Sequence, residues 1–368
     1  MTEGKRGLTR RDLLKTGAAG AAGFYLTGGS ALARGLRPDG TTITWLTWFD
    51  HYFPQQLQVT KAKTGIACRT KLAPSDSQIY TTIRATGSQF DIAAADALWV
   101  PKMHHDGLTQ SFDLAEIAAS KQLYSAARHI KAWTDGSKYM AFPNGWSTIQ
   151  VYYNPKFVKT KPDSYDALLD PKYKGKIIYE NSPETMVAFG GLATGAKSPY
   201  DQTLTELKRS KQWLEKFKPN ILKLVDQNFE TVNALKDGSA WIGLGNLGVE
   251  MRVKDAGGPL IKVAFPKEGL LGWFDGEQMV TRSKHQDVFA TFINATYGQT
   301  SYIALNFIKN GRPMFNEWAY KLLVKQGHKE RADLFHYNNP DLIFKAHLQG
   351  PARNPQAITD TFNEVFGG

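Results

Sequence analysis

What most constrains this chain is an alternation of strand-like and helix-like stretches close to its start. Residues 41–48 (TTITWLTW) alternate β-branched and aromatic residues, the pattern of a half-buried strand. Pro54, whose ring fixes φ near the helical value, opens a helix that carries Leu57 and closes at Thr64-Gly65. A second helix covers about Ser77 to Thr86, with Ile79 and Ile83 on one face and Gly87 as its stop. Phe90 to Ala95 then reads as a short strand of small residues. Strand and helix in such order imply a parallel sheet with helices on both faces. The same grammar returns with other lengths: strands at 147–153, 175–179 and 239–244, and helices from Glu184 to Leu192 and about Thr203 to Phe217. No solenoid repeat or low-complexity linker interrupts it. At 368 residues the chain therefore reads as two α/β lobes joined by short crossing segments, Phe142 to Trp146 and Gly272 to Met279.

The first 33 residues have a different character. Thr9-Arg10-Arg11-Asp12-Leu13-Leu14-Lys15 precedes a small, weakly apolar run, Gly17 to Gly29, and then Ala31-Leu32-Ala33. A charged front, a moderately apolar middle and an Ala-x-Ala end make an export signal, and the paired arginines resemble a twin-arginine signal cleaved after Ala33. The run is too short and glycine-rich to span a bilayer well, and no later stretch is long enough. Within 1–33, five basic residues face only Glu3 and Asp12, so removal leaves +8 of the formal +11 charge. That remainder is spread through Lys-rich stretches with acids between them, a solvated surface without a nucleic-acid motif. Cys68 stands alone, which rules out an intrachain disulfide and a cysteine-based metal site within one chain.

Motifs that would carry catalysis are thin. Gly243-Leu244-Gly245-Asn246-Leu247-Gly248 is an intact GxGxxG after an expected strand and before an expected helix, Val249 to Asp255, with Glu268 about 20 residues on. It is a single βα unit late in the chain, behind an export signal, and reads better as a glycine turn where backbone approaches a cleft. Gly190 to Ser198 fails the phosphate-loop pattern because Lys197 comes one place late. His104-His105 has no partner at the spacing that two ligands on one helix face require, so no metal is expected. Neither GxSxG nor HExxH occurs. Together these absences favour binding over catalysis, with no cofactor.

Four stretches, in order along the chain, resemble the spermidine/putrescine-binding family of extracellular solute-binding proteins. They are Thr47 to Pro54 leading into Thr64-Gly65-Ile66; Phe90-Asp91-Ile92 with Val100 to Met103 and Gly107-Leu108; Tyr153-Asn154-Pro155 through Pro171 to Lys176; and Phe265 to Gly269 with Trp273-Phe274-Asp275. The resemblance implies a class II periplasmic-binding-protein fold, with two α/β lobes, two crossovers and a ligand cleft that closes by a hinge motion. The corresponding boundaries are 41–144 with 276–318 for the first lobe and 145–275 with 319–368 for the second. It further implies a periplasmic monomer that delivers a small amine or amino-acid ligand to an inner-membrane ABC permease.

Carrying the pocket over gives Trp48, beside His51, as the first-strand aromatic, and Trp273 with Asp275 as the pair that grips an ammonium. Asp96 stands beside the cleft where the family has Ser. Two further acids of the family align with Ser182 and Thr185, although Glu180 and Glu184 lie close by. Ser182-Pro183 also makes a good helix N-cap, a terminus suited to an anion. Arg312 replaces an aromatic, and Arg252 follows the glycine turn. One Asp-based site opposite an arginine implies a ligand with opposite charges at its ends, an ω-amino acid such as 4-aminobutyrate; the alternative is a polyamine.

Overall fold

The computed structural model describes residues 40–367 except 74 and 226–227; the expected export signal at 1–33 lies outside them. Two sheets organise the chain. In the first, the strand order is His347–Leu348, Leu271–Val280, Ile92–Asp96, Thr42–Thr47 and Ala67–Leu72, with Thr109–Gln110 and Phe142–Thr148 also paired to the long strand Leu271–Val280. Thr42–Thr47 runs parallel to both of its neighbours. In the second, the order is Ile221–Val225, Ile177–Glu180, Ile242–Gly245, Gln150–Tyr153 and Lys262–Ala264.

Local chemistry sets the elements much as the residues suggest. The helix Pro54–Thr64 ends where Gly65 takes φ 76° and donates its N–H to Lys61 O at 2.8 Å; glycine adopts that left-handed geometry without the Cβ penalty. Gly87 acts otherwise, with φ −55°. The helix Asp76–Thr86 runs on into a tight turn there, and an added Cβ would lie 3.0 Å from the Arg282 guanidinium. Asp76, its first residue, is an acid in a first turn, where the helix dipole favours negative charge.

Both expected crossing segments lie within strands. Phe142–Thr148 and Leu271–Val280 pair antiparallel, with Ser147 opposite Trp273 and Thr148 opposite Gly272. Each passes from one sheet towards the other, so the lobes share a two-stranded ribbon. The apolar interior divides accordingly. One core gathers Trp45, Ile92, Trp133 and Phe274, and the other Tyr179, Phe189, Leu214 and Phe217. The assignment of 319–368 to the second lobe needs correction. Ala319, Leu323, Phe335, Tyr337 and Ile343 pack in the first core, and the chain reaches the second with Ala352 and the helix Pro355–Phe366, through Ile358, Phe362 and Val365. An amphipathic helix reveals that it has an apolar face but not which core receives it.

Candidate functional site

In open α/β sheets the carboxyl ends of the strands are where a ligand is met. On the first sheet, Asp96 ends the strand Ile92–Asp96 and lies opposite Asp275 in the antiparallel register. Asp76 reaches it from the helix start, its Oδ1 accepting the Asp96 N–H at 2.8 Å. Ser75 caps that helix by accepting the Gln78 N–H, which holds Asp76 in place. Asp76 and Asp96 are 4% and 7% exposed. Burial drives their pKa values up, because a carboxylate loses its hydration there. Asp76 reaches about 7 despite the Asp96 N–H, with Asp275 and Glu184 adding repulsion. Asp96 rises well above its ordinary value from burial, then from Asp76 and Asp275, which outweigh Arg312. With Asp76 Oδ1 on the Asp96 N–H, the two carboxyls stand side by side in the interior, and ionising both at once is disfavoured by burial and by their mutual repulsion.

One strand away the carboxylates are treated oppositely. Arg312 bridges Asp50 through Nη1 at 2.9 Å and Asp275 through Nη2, and Nη2 also stands 3.0 Å from His51 Nε2. Gly145 donates its N–H to Asp275 Oδ1 at 3.1 Å. The other face of His51 meets Glu277 at 2.7 Å, and Glu277 further accepts from Trp45, Asn144 and Tyr297. For His51, burial and Arg312 oppose the imidazolium, yet Asp275 and Glu277 prevail and its pKa rises to about 9. For Asp275, burial is overcome by Arg312 and His51, which lower it to about 2. This set is charged, hydrogen-bonded and closed on itself.

The second sheet supplies Glu180, the last residue of its strand, and Glu184, in the first turn of the helix Pro183–Ala193. Burial raises both carboxyls. Glu184 is exposed to solvent. Its charge acts on Asp76, and the buried Tyr200 feels Glu180, Asp96 and Glu184 together, so acids borne by the two sheets lie within electrostatic reach of one another. The nearby ion pairs belong to Arg312 and His51; among the described residues none reaches Asp76, Asp96, Glu180 or Glu184. Nor, among those residues, are any three His, Cys, Asp or Glu arranged to hold a metal ion.

The structure thus brings together Asp96, Asp275, His51 and Arg312, but Asp275 and Arg312 do not stand as the expected ammonium and carboxylate anchors. Arg312 neutralises Asp275 instead of facing it across a ligand. Arg252 is spent elsewhere: its Nη2 donates to Leu247 O at 2.9 Å and its guanidinium lies over Phe335. Ser182 caps its helix, accepting the Thr185 N–H and donating to Thr185 Oγ1. Trp48 is half-buried on the first core, 5.0 Å from the His51 ring, and Trp273 is half-buried on the second core. Sequence reasoning missed Asp76; the signal was the Ser75-Asp76 pair at a helix start, which has a sufficient local explanation as a cap.

Two other features are accounted for without a ligand. The glycine turn is filled by protein: Gly248, at φ 82°, lies beneath the Phe335 ring, 2.0 Å from where a Cβ would be, and Tyr152 donates to Asn246 O. A surface concavity of about 350 Å³ is lined by Tyr80, Arg84, Lys102, Asp106 and Leu108, but Lys102 and Tyr80 both already bond Asp106.

Comparison with known proteins agrees with this architecture. The chain is 24% identical over 281 residues to the putrescine-binding periplasmic protein PotF of Escherichia coli, covering 70% of this chain and 74% of that protein. The E. coli spermidine/putrescine-binding periplasmic protein is 22% identical over 283 residues, covering 73% and 78%. Among solved structures, the spermidine/putrescine ABC transporter substrate-binding protein PotD of Streptococcus pneumoniae superposes with a TM-score of 0.70 at 21% identity, covering 88% of this chain and 98% of that one. The PotD lipoprotein of Treponema pallidum gives 0.69 at 13%, covering 88% and 99%. The profile of the bacterial extracellular solute-binding proteins matches residues 59–317, and the chain belongs to that family.

Proposed function

We propose that this protein is the capture component of an ABC importer for a solute of the polyamine class, held between the two sheets with its ammonium groups against Asp76–Asp96 on one side and Glu180–Glu184 on the other. The chain is a binding protein and not an enzyme. One observation carries the reading: Asp76 and Asp96 are in contact on the first sheet, Glu184 and Glu180 of the second act electrostatically on Asp76 or on the same buried Tyr200, and among the described residues no ion pair reaches any of the four. An ammonium entering there gains charge compensation that the apo protein supplies only with a proton. Trp48 and Trp273, each half-buried, offer ring faces for the cation and its aliphatic chain. The names of the periplasmic relatives point to the same ligand class and to the periplasm. Among the described residues no helix is long and apolar enough to cross a membrane.

The ω-amino acid reading needs an unpaired guanidinium for the carboxylate. Arg312 and Arg252 are both engaged within the protein, which removes its main support. A thermal-shift titration with putrescine, spermidine and 4-aminobutyrate separates the two readings, since a ligand that binds only the folded state raises its melting temperature. Putrescine or spermidine should stabilise and 4-aminobutyrate should not; stabilisation by 4-aminobutyrate alone would overturn the proposal.

A further inference from the structure

The niche that holds the Arg312 guanidinium has the make-up of a cation site. Two carboxylates, Asp50 and Asp275, approach it from different segments, and Trp48 stands against the adjoining His51 ring. The backbone is shaped around this occupant. The helix Thr300–Asn310 ends at Gly311 in the left-handed region, φ 68°, and the next residue is Arg312. Across from it, Gly145 leaves the room the guanidinium needs: a Cβ there would come within 2.9 Å of Arg312 Nε and 2.8 Å of Pro313 O. The niche adjoins the proposed ligand acids, because Asp275 and Asp96 are register partners on neighbouring strands.

We propose that Arg312 is a specificity-determining residue, a tethered cation that keeps the Asp50–Asp275 niche closed to the ligand, so that the first lobe accepts one ammonium, at Asp76–Asp96, and no second. The inference rests on the amine-binding reading above. A side chain delivered by its own backbone acts at a high effective concentration, and a free ammonium does not displace it. Its planar fork spans both carboxylates, which a single ammonium does less well. Removing the guanidinium opens a second anionic niche beside the first and changes which amines bind best.

Arg312→Ala tests this in two ways. Methylguanidine at about 10 mM should restore several degrees of melting temperature to the variant and leave wild type unmoved, by linkage of binding to folding. The affinity ratio of spermidine to butylamine should rise about tenfold or more over wild type, since only the polyamine has a further cation to place. Arg312→Lys, which keeps a tethered charge, should hold the wild-type ratio. An unchanged ratio in Arg312→Ala together with no response to methylguanidine would overturn the proposal. Should Arg312→Ala fail to fold even with methylguanidine, a crystal structure of wild type with putrescine decides: Arg312 still bridging Asp50 and Asp275 upholds it, and an ammonium bonded to Asp275 with Arg312 displaced refutes it. Failure of wild type to bind any amine would instead sink the amine-binding reading, while methylguanidine rescue of the variant would still show a cation niche.

Discussion

Asp275 and Asp96 sit opposite each other on paired strands, both buried, and burial alone would raise the pKa of both. Asp275 instead falls to about 2, because Arg312 and His51 are held against it and Gly145 adds an N–H donor. Asp96 rises, because burial strips its carboxylate of hydration and Asp76 and Asp275 add repulsion that Arg312 does not offset. The contrast separates two uses of buried charge. A carboxylate neutralised by its own protein is part of the framework, and one left with only a proton is poised to accept a cation from outside. Proximity of an acid to a tryptophan in sequence, as in Trp273 and Asp275, does not tell these cases apart.

The largest expected effect breaks the framework side. Asp275→Ala leaves the Arg312 guanidinium and the His51 imidazolium without their shared anion, and should lower unfolding free energy by about 3–5 kcal/mol in denaturant titration. A loss below about 1 kcal/mol accompanied by abolished amine binding would reverse the roles of the two acids. The other side should respond in the opposite sense. Asp96→Asn removes one of two mutually repelling carboxyls, so stability at pH 8 should hold or rise, while amine affinity falls about a hundredfold, near 2.7 kcal/mol. Calorimetric titration beside denaturant unfolding reads both; unaltered amine affinity would remove Asp96 from the site.

Much of the fold was legible because local patterns carry it. TTITWLTW alternates as a strand must, Pro54 and Gly65 bracket a helix, and the aromatic and glycine-rich stretches near 142 and 272 are the crossing points. What was not legible depends on register and on choice of core. Nothing local sends Leu323 and Tyr337 to the first core. Asp96 could be placed near the cleft from its strand, but its contact with Asp76 joins residues 20 apart through a helix start. Arg312 reads as a free cation in sequence. Only the folded chain brings Asp50 and Asp275 to the same guanidinium from 262 and 37 residues away.

The central claim is that the ligand's ammonium goes to the acids that resist full ionisation and not to the ionised Asp275. The two sites differ in what binding does to protons. An ammonium beside Asp76–Asp96 favours the fully ionised pair and expels the proton it holds, whereas Asp275, already ionised at neutral pH, has none to lose. Burial is the chief cause that raises both acids, so affinity should weaken as pH falls from the alkaline side through neutrality, where protons compete with the ligand. Calorimetric titration of putrescine at pH 7 in phosphate and in Tris, whose ionisation enthalpies differ, measures this directly. The account predicts proton release on binding and a binding enthalpy that differs between the buffers accordingly. Equal enthalpies in the two buffers, with tight binding in both, would contradict it and place the ammonium on an acid that was already charged.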